Sequence, residues 1–215
     1  GDVYKRQIIL CITAVLLAVS RQNALASKDE NPRTENRQRA ETILLYQRNS
    51  GGWPKNYERE EKLLKKARSK VLSEKNKNDA MIDNGATHTE IRLLADAYEE
   101  TSDNRFRDAA IKGITYLLTA QYDNGGWPQR FPKPEGYAKH ITFNDNAIND
   151  CIAVLLKAHR RYDRPELLAA ARKGGDFIIL SQGQAPQAGW AQQYDQDLNP
   201  GCARKYEPPA ICSAV

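Results

Sequence analysis

The chain has 215 residues, of which 40% are hydrophobic and 27% charged, a composition that excludes a membrane-embedded or disordered protein. Its formal charge of +5 is spread along the sequence, with no basic run interleaved with aromatics, which argues against a dedicated nucleic-acid binder.

Ile8 to Val19 is apolar apart from Cys11 and Thr13, too short to span a bilayer and suited to the core of a signal peptide. Ala24-Leu25-Ala26 follows as a cleavage pattern. Export to the periplasm or the exterior is therefore expected, with 27–215 as the mature domain and no stable membrane association afterwards. A short membrane anchor is the alternative. Asp2-Val3-Tyr4-Lys5-Arg6-Gln7 reads as adapter-derived, so 1–26 combines adapter residues with a partial signal peptide. The sequence ends at Ala214-Val215 without a cap or terminating turn, as a truncated reading frame would. Export would permit Cys202 and Cys212 to pair, whereas Cys151 lies in a helical apolar pattern and reads as a buried thiol. No Cys/His spacing suggests zinc.

Along the chain, Asn36 to Arg48 reads as a lone helix, and Gly51-Gly52-Trp53-Pro54-Lys55 as a turn. Lys62 to Asn78 is highly charged, either an exposed helix or an insertion. Ile91, Leu94, Ala95 and Tyr98 share one helical face, and a second helix is expected over about Arg105 to Gln121, with Ile114, Leu117 and Leu118 inward. The turn then recurs as Gly125-Gly126-Trp127-Pro128-Gln129. Ile152, Leu155, Leu156 and His159 define the next helical face, and about Glu166 to Ser181 the next second helix, with Phe177, Ile178 and Leu180 inward. Thr101-Ser102-Asp103-Asn104 and Asp163-Arg164-Pro165 break the two pairs, and Gly189-Trp190-Ala191 is a third glycine–tryptophan turn.

These blocks align at an offset of 61: Ala86 with Ala147, Ala97 with Ala158, Lys112-Gly113 with Lys173-Gly174, and Asp83-Asn84 with Asn144-Asp145. Repeated helix pairs with almost no strand signal predict an all-α fold, an α/α solenoid or toroid.

Two helix starts carry polar clusters: Ile82-Asp83-Asn84-Gly85-Ala86-Thr87-His88-Thr89-Glu90 and Ile141-Thr142-Phe143-Asn144-Asp145-Asn146-Ala147. Thr87 with Glu90 fits a capping box, and Asp83, Asn84, Asn144 and Asp145 have the chemistry of helix caps. The clusters hold equivalent places in adjacent repeats, however, so a toroid would bring them to one rim. Exposed tryptophans from the glycine–tryptophan turns would make that rim suited to a sugar. Arg204-Lys205-Tyr206-Glu207-Pro208-Pro209 adds two cations in a Pro-rich loop, either a surface connection or a basic group over a bound acid. His88, His140 and His159 are not spaced as a metal set, and His159 at the place of Tyr98 suggests packing.

Taken together, Ile82-Asp83-Asn84-Gly85-Ala86-Thr87, Asn124-Gly125-Gly126-Trp127-Pro128-Gln129, His140-Ile141-Thr142-Phe143-Asn144-Asp145-Asn146-Ala147 and Ala203-Arg204-Lys205-Tyr206-Glu207-Pro208-Pro209 resemble the pectate lyases of polysaccharide lyase family 10, from about Arg37 to the end. The resemblance implies an α/α toroid with a cleft, cleaving polygalacturonate by β-elimination with Ca²⁺; a monomer is expected. Matched by motif, Asp83 and Asp145 would lie at the calcium and substrate site, and Arg204 would remove the proton. Asn84, Asn144 and Lys205 would be substrate-binding neighbours. The resemblance also implies further helices and basic residues beyond Val215. An arginine base works only through a neutral minority or a depressed pKa, to which Lys205 would contribute, so an alkaline optimum follows.

Three other readings fit parts of the sequence. Gln47-x3-Gly51-x-Trp53 and Gln121-x3-Gly125-x-Trp127 fit triterpene-cyclase repeats, but no D-x-D-D motif accompanies them. A glycoside hydrolase could use Asp83 and Asp145 as an acid–base pair. A non-catalytic sugar-binding module would use the Trp-Pro turns only as structural ties.

Overall fold

The structure is a computed structural model that describes residues 32–186, 188–202 and 211–212. The apolar segment, its cleavage pattern, Arg204 and Lys205 lie outside the described residues.

The fold is all-α. The helices are α1 Pro32–Tyr46, α2 Lys65–Ser73, α3 His88–Thr101, α4 Asn104–Ala120, α5 Ala147–Tyr162 and α6 Pro165–Leu180. Strand among the described residues is limited to four two-residue pieces: β1 Ile141–Thr142, β2 Trp190–Ala191, β3 Gln193–Tyr194 and β4 Ile211–Cys212. α3 stops at Ser102 in the left-handed conformation, and Asp103 caps α4 by accepting from the Arg105 amide. α5 stops at left-handed Asp163, and Pro165 opens α6. Such short links make each pair an antiparallel hairpin. α1 packs on α3, and α5 packs on both helices of the preceding pair, so the hairpins stack in the manner of an α/α toroid.

The repeat is a device for burying tryptophan. Trp53 and Trp127 are fully buried, and their indole nitrogens donate to the Ile43 and Leu117 carbonyls, each at 2.8 Å. The expectation of exposed aromatics at the rim is therefore corrected for these two: the rings fill the gap between successive hairpins. Gly113 and Gly174 let them in. A Cβ on Gly113 would lie 2.6 Å from Ile91 Cγ1 and 2.8 Å from the Trp53 ring, and one on Gly174 2.8 Å from the Trp127 ring. Gln47 donates to the Gly51 and Ala109 carbonyls at 2.8 and 2.9 Å, and Gln121 repeats this with Gly125 and Ala170 at the same distances. The Gln-x3-Gly-x-Trp pattern is thus a structural clasp, which leaves the cyclase reading without support.

On α5 the fully buried positions are Ala147, Ile148, Cys151 and Leu155, with Ile152, Leu156 and His159 half-buried alongside. His159 Nδ1 lies 3.0 Å from the Arg164 carbonyl, a packing role. Leu180, expected inward, is 67% exposed because it is the last residue of α6 and lies past the core. The charged 62–78 stretch contains the largely exposed helix Lys65–Ser73, tied down on its C-terminal side. Lys75 Nζ donates to the Leu44 and Gln47 carbonyls near the α1 C-terminus, and Arg48 pairs with Asp79 at 2.6 Å. Cys202 is a free, exposed thiol and Cys151 a buried one.

Candidate functional site

The site is assembled by backbone pairing between loops. The Met81 amide donates to the Trp53 carbonyl at 3.0 Å, Ile82 to Gln129 at 3.1 Å, and Gln129 to His140 at 3.2 Å. β1 then pairs antiparallel with β3, Ile141 opposite Tyr194. Segments from four loops therefore lie side by side across one end of the hairpins. Asp83 emerges directly from the second segment, and Asn144 and Asp145 directly from the fourth.

These residues do not cap helices. α3 begins at His88, five positions after Asp83. Thr87 occupies the N-cap position but makes no cap hydrogen bond: its hydroxyl accepts from the Trp53 amide at 3.0 Å and donates to the Met81 carbonyl at 2.7 Å. Glu90 likewise turns away, accepting from Arg59 Nε at 2.6 Å and the Tyr57 hydroxyl at 3.0 Å. The expected capping box is replaced because both side chains have stronger tertiary partners.

Asp83 is buried, and Asp145 is exposed on the other side of the junction. The Asn84 carboxamide lies between Asp83 and Asp145. With its nitrogen inward, Asn84 donates to both Asp83 oxygens at 3.1 Å and to Asp145 Oδ2 at 3.0 Å. With its nitrogen outward, Asn84 reaches Asn56 Oδ1 at 3.5 Å and presents its own oxygen to the carboxylates. Lys55 Nζ lies 2.6 Å from Asp83 Oδ2. Desolvation and then the Asp83 carboxylate raise the Asp145 pKa above the ordinary carboxyl value, while Lys55 opposes the shift. Asn144, grouped with them from sequence, is exposed in the 3₁₀ turn Asn144–Asn146 and makes no side-chain hydrogen bond among the described residues.

The backbone here is strained into place. Asn84, Thr87, Asp145 and Asn146 all have positive φ, at 51°, 67°, 53° and 57°. For β-branched Thr87 this is costly, and its two hydroxyl bonds over-determine it. Beneath lies a buried polar layer that sequence reasoning missed. Arg59 and Tyr57 converge on fully buried Glu90, and Tyr57 stacks on Tyr46 with centroids 3.9 Å apart. Arg92 and buried His88 both approach Asp150 of α5. Lys55 was also missed as a site residue. Its signal was visible: Lys55 and Gln129 end the two otherwise matching Gly-Gly-Trp-Pro turns.

The donor set suits a hard cation. Two carboxylates and an amide that can turn its oxygen inward meet within about one ligand shell, and Ca²⁺ takes such oxygens. Among the described residues no group of three or more His, Cys, Asp or Glu gathers to hold a metal, so amide, water or substrate oxygens would complete the shell.

The profile of the pectic acid lyase family matches residues 47–214. A family 10 polysaccharide lyase from Cellvibrio cellulosa is similar at 30% identity and TM-score 0.67, covering 85% of this chain and 61% of that one. A mutant of a family 10 polysaccharide lyase from the same organism, in complex with trigalacturonic acid, is similar at 31% identity and TM-score 0.67, covering 80% and 56%. Cellobiose 2-epimerase from Bacillus thermoamylovorans shares the fold alone, at 12% identity and TM-score 0.53 over 86% of this chain and 45% of that one. The chain thus spans less than two thirds of each of these structures. No curated protein sequence matches it significantly.

Proposed function

The chain belongs to the pectic acid lyase family, with family 10 polysaccharide lyases as relatives, and from that premise we propose that it cleaves polygalacturonate by calcium-assisted β-elimination. The observation that carries this reading is that the Asp83 and Asp145 carboxylates both lie within 3.1 Å of one Asn84 carboxamide. Two like charges are held together with Lys55 as the one cation paired to them among the described residues. Such an arrangement attracts a divalent cation. The relative solved with trigalacturonic acid supports an acidic galacturonate substrate, and the positive charge of this chain would draw such a polymer in.

In this reading Asp83 and Asp145 hold the cation, and Asn84 turns its oxygen toward it. When bound, Ca²⁺ supplies charge withdrawal from a uronate carboxylate, which makes the C5 proton more acidic. Arg204, outside the described residues, would take that proton, with Lys205 beside it in sequence adding positive charge. The electron pair left at C5 forms the C4–C5 double bond as the glycosidic oxygen leaves C4, so no water is added. Asn84, Asn144 and Lys205 line the substrate path. The segment 8–19 with Ala24-Leu25-Ala26 supports export.

The hydrolase alternative needs open space between the two carboxyls for a glycosidic bond, whereas the Asn84 carboxamide bridges Asp83 and Asp145. The test is incubation with polygalacturonate, with calcium and with chelator. Calcium-dependent ultraviolet absorbance from an unsaturated uronate is expected. Saturated products that persist in chelator would instead establish hydrolysis, and binding without product a sugar-binding module.

A further inference from the structure

Lys55 is built to meet Asp83. Trp53, two residues earlier, is locked in the core, its amide bonded to Thr87 Oγ1 at 3.0 Å and its carbonyl to the Met81 amide at 3.0 Å. These two hydrogen bonds fix the turn against the segment that carries Asp83. Lys55 then reaches Asp83 Oδ2 at 2.6 Å, with its own side chain 30% exposed and that of Asp83 only 4%. The second repeat makes the same turn around Trp127 but ends in Gln129, and its counterpart of Asp83 is Asn144. Charge at both positions in one repeat has become neutral amide at both in the next. The lysine thus goes with a carboxylate at this position, whereas Asp145, one place on in the second repeat, has no lysine in its own turn.

We propose that Lys55 is an exchangeable counter-ion, offsetting one charge of the Asp83–Asp145 pair when no divalent cation is present and giving up Asp83 when one binds. The assignment rests on the calcium reading above. A single ammonium balances only one of two neighbouring carboxylates, and a divalent cation balances both. The ammonium and the cation compete for Asp83 oxygen, and both cannot sit beside it without repulsion. Lys55 is long and part-exposed, so it can swing outward when displaced, toward the solvent side where an acidic substrate approaches.

The test uses the full chain, with Lys55→Met, Lys55→Gln and Lys55→Arg compared with the parent. Calcium binding is measured by calorimetry without substrate at low salt, and the thermal midpoint in chelator and in saturating calcium. Lys55→Met and Lys55→Gln should bind calcium roughly 3- to 10-fold more tightly, the size expected for one part-exposed charge. Their midpoint should fall in chelator and stay near the parent value in calcium. Lys55→Arg should behave as the parent. Weaker calcium binding by both neutral variants, or an equal loss of midpoint in both conditions, would overturn the assignment, because a structural strut acts in both states. The two failures are separable. A parent that binds no calcium removes the calcium reading and the exchange with it. A parent that binds calcium, with neutral variants that bind no tighter, removes only the role of Lys55.

Discussion

Asp83 and Asp145, 62 residues apart in sequence, meet at one amide across the junction of two helical hairpins: Asn84 lies 3.1 Å from each Asp83 oxygen and 3.0 Å from Asp145 Oδ2. Each is delivered by the last residues of a paired extended segment. The contact is therefore a property of how the segments register and not of either helix start.

Replacing Asp145 should separate cation binding from fold. Asp145→Ala is expected to weaken calcium binding about 10- to 100-fold, a loss typical of altered metal coordination, with extra calcium partly restoring turnover. Calorimetry and the calcium dependence of the initial rate check this. Unchanged calcium dependence would remove Asp145 from the cation site.

Arg204→Ala should lower kcat by about 10²- to 10⁴-fold with KM little changed, because a proton-accepting group acts in the transition state. Lys205→Ala should be milder and move the alkaline limb of the pH–rate profile. A variant pair in which Arg204→Ala keeps kcat and Lys205→Ala loses it transfers the base to Lys205.

Adjacent glycines of α6 should respond in opposite directions. Gly174→Ala places a Cβ 2.8 Å from the Trp127 ring and 2.9 Å from Ile152, and should cost about 1–3 kcal/mol. Gly175→Ala meets nothing within 4 Å and should stabilise by about 0.5–1 kcal/mol through helix propensity. Urea unfolding of both variants measures the difference, and equal destabilisation would refute the tryptophan seat.

Buried His88 should make stability fall on the acid side. Desolvation chiefly lowers its pKa from 6.5 to about 4, against the pull of Asp150. The unfolded chain therefore takes up a proton below 6.5 that the native state refuses until about 4. This contribution is full above 6.5 and lost as pH falls through that window, by at most about 3 kcal/mol. Thermal midpoints across the window, compared with His88→Gln, should show a shallower acid slope in the variant.

The chain's sequence determined its helices, their pairing and their period. Apolar spacing at 91–98 and 105–121, breaks at Ser102-Asp103 and Asp163-Arg164, and the offset of 61 are local or repetitive signals that survive without knowledge of neighbours. The same offset placed Asp83 and Asp145 at equivalent mouths, so their meeting was legible through the repeat. What only the tertiary structure decided was the partner of each polar or aromatic group. Thr87 and Glu90 have the spacing of a capping box, yet Thr87 binds the Trp53 turn and Glu90 binds Arg59 and Tyr57. Trp53 and Trp127 could have faced a sugar, and instead fill the space that Gly113 and Gly174 leave open. Lys55 belongs to the site because one backbone segment lies beside another. Helix periodicity is written every three or four residues. A hydrogen bond between loops tens of residues apart is set by which surfaces pack, and a buried polar group takes the partner that packing brings within about 3 Å.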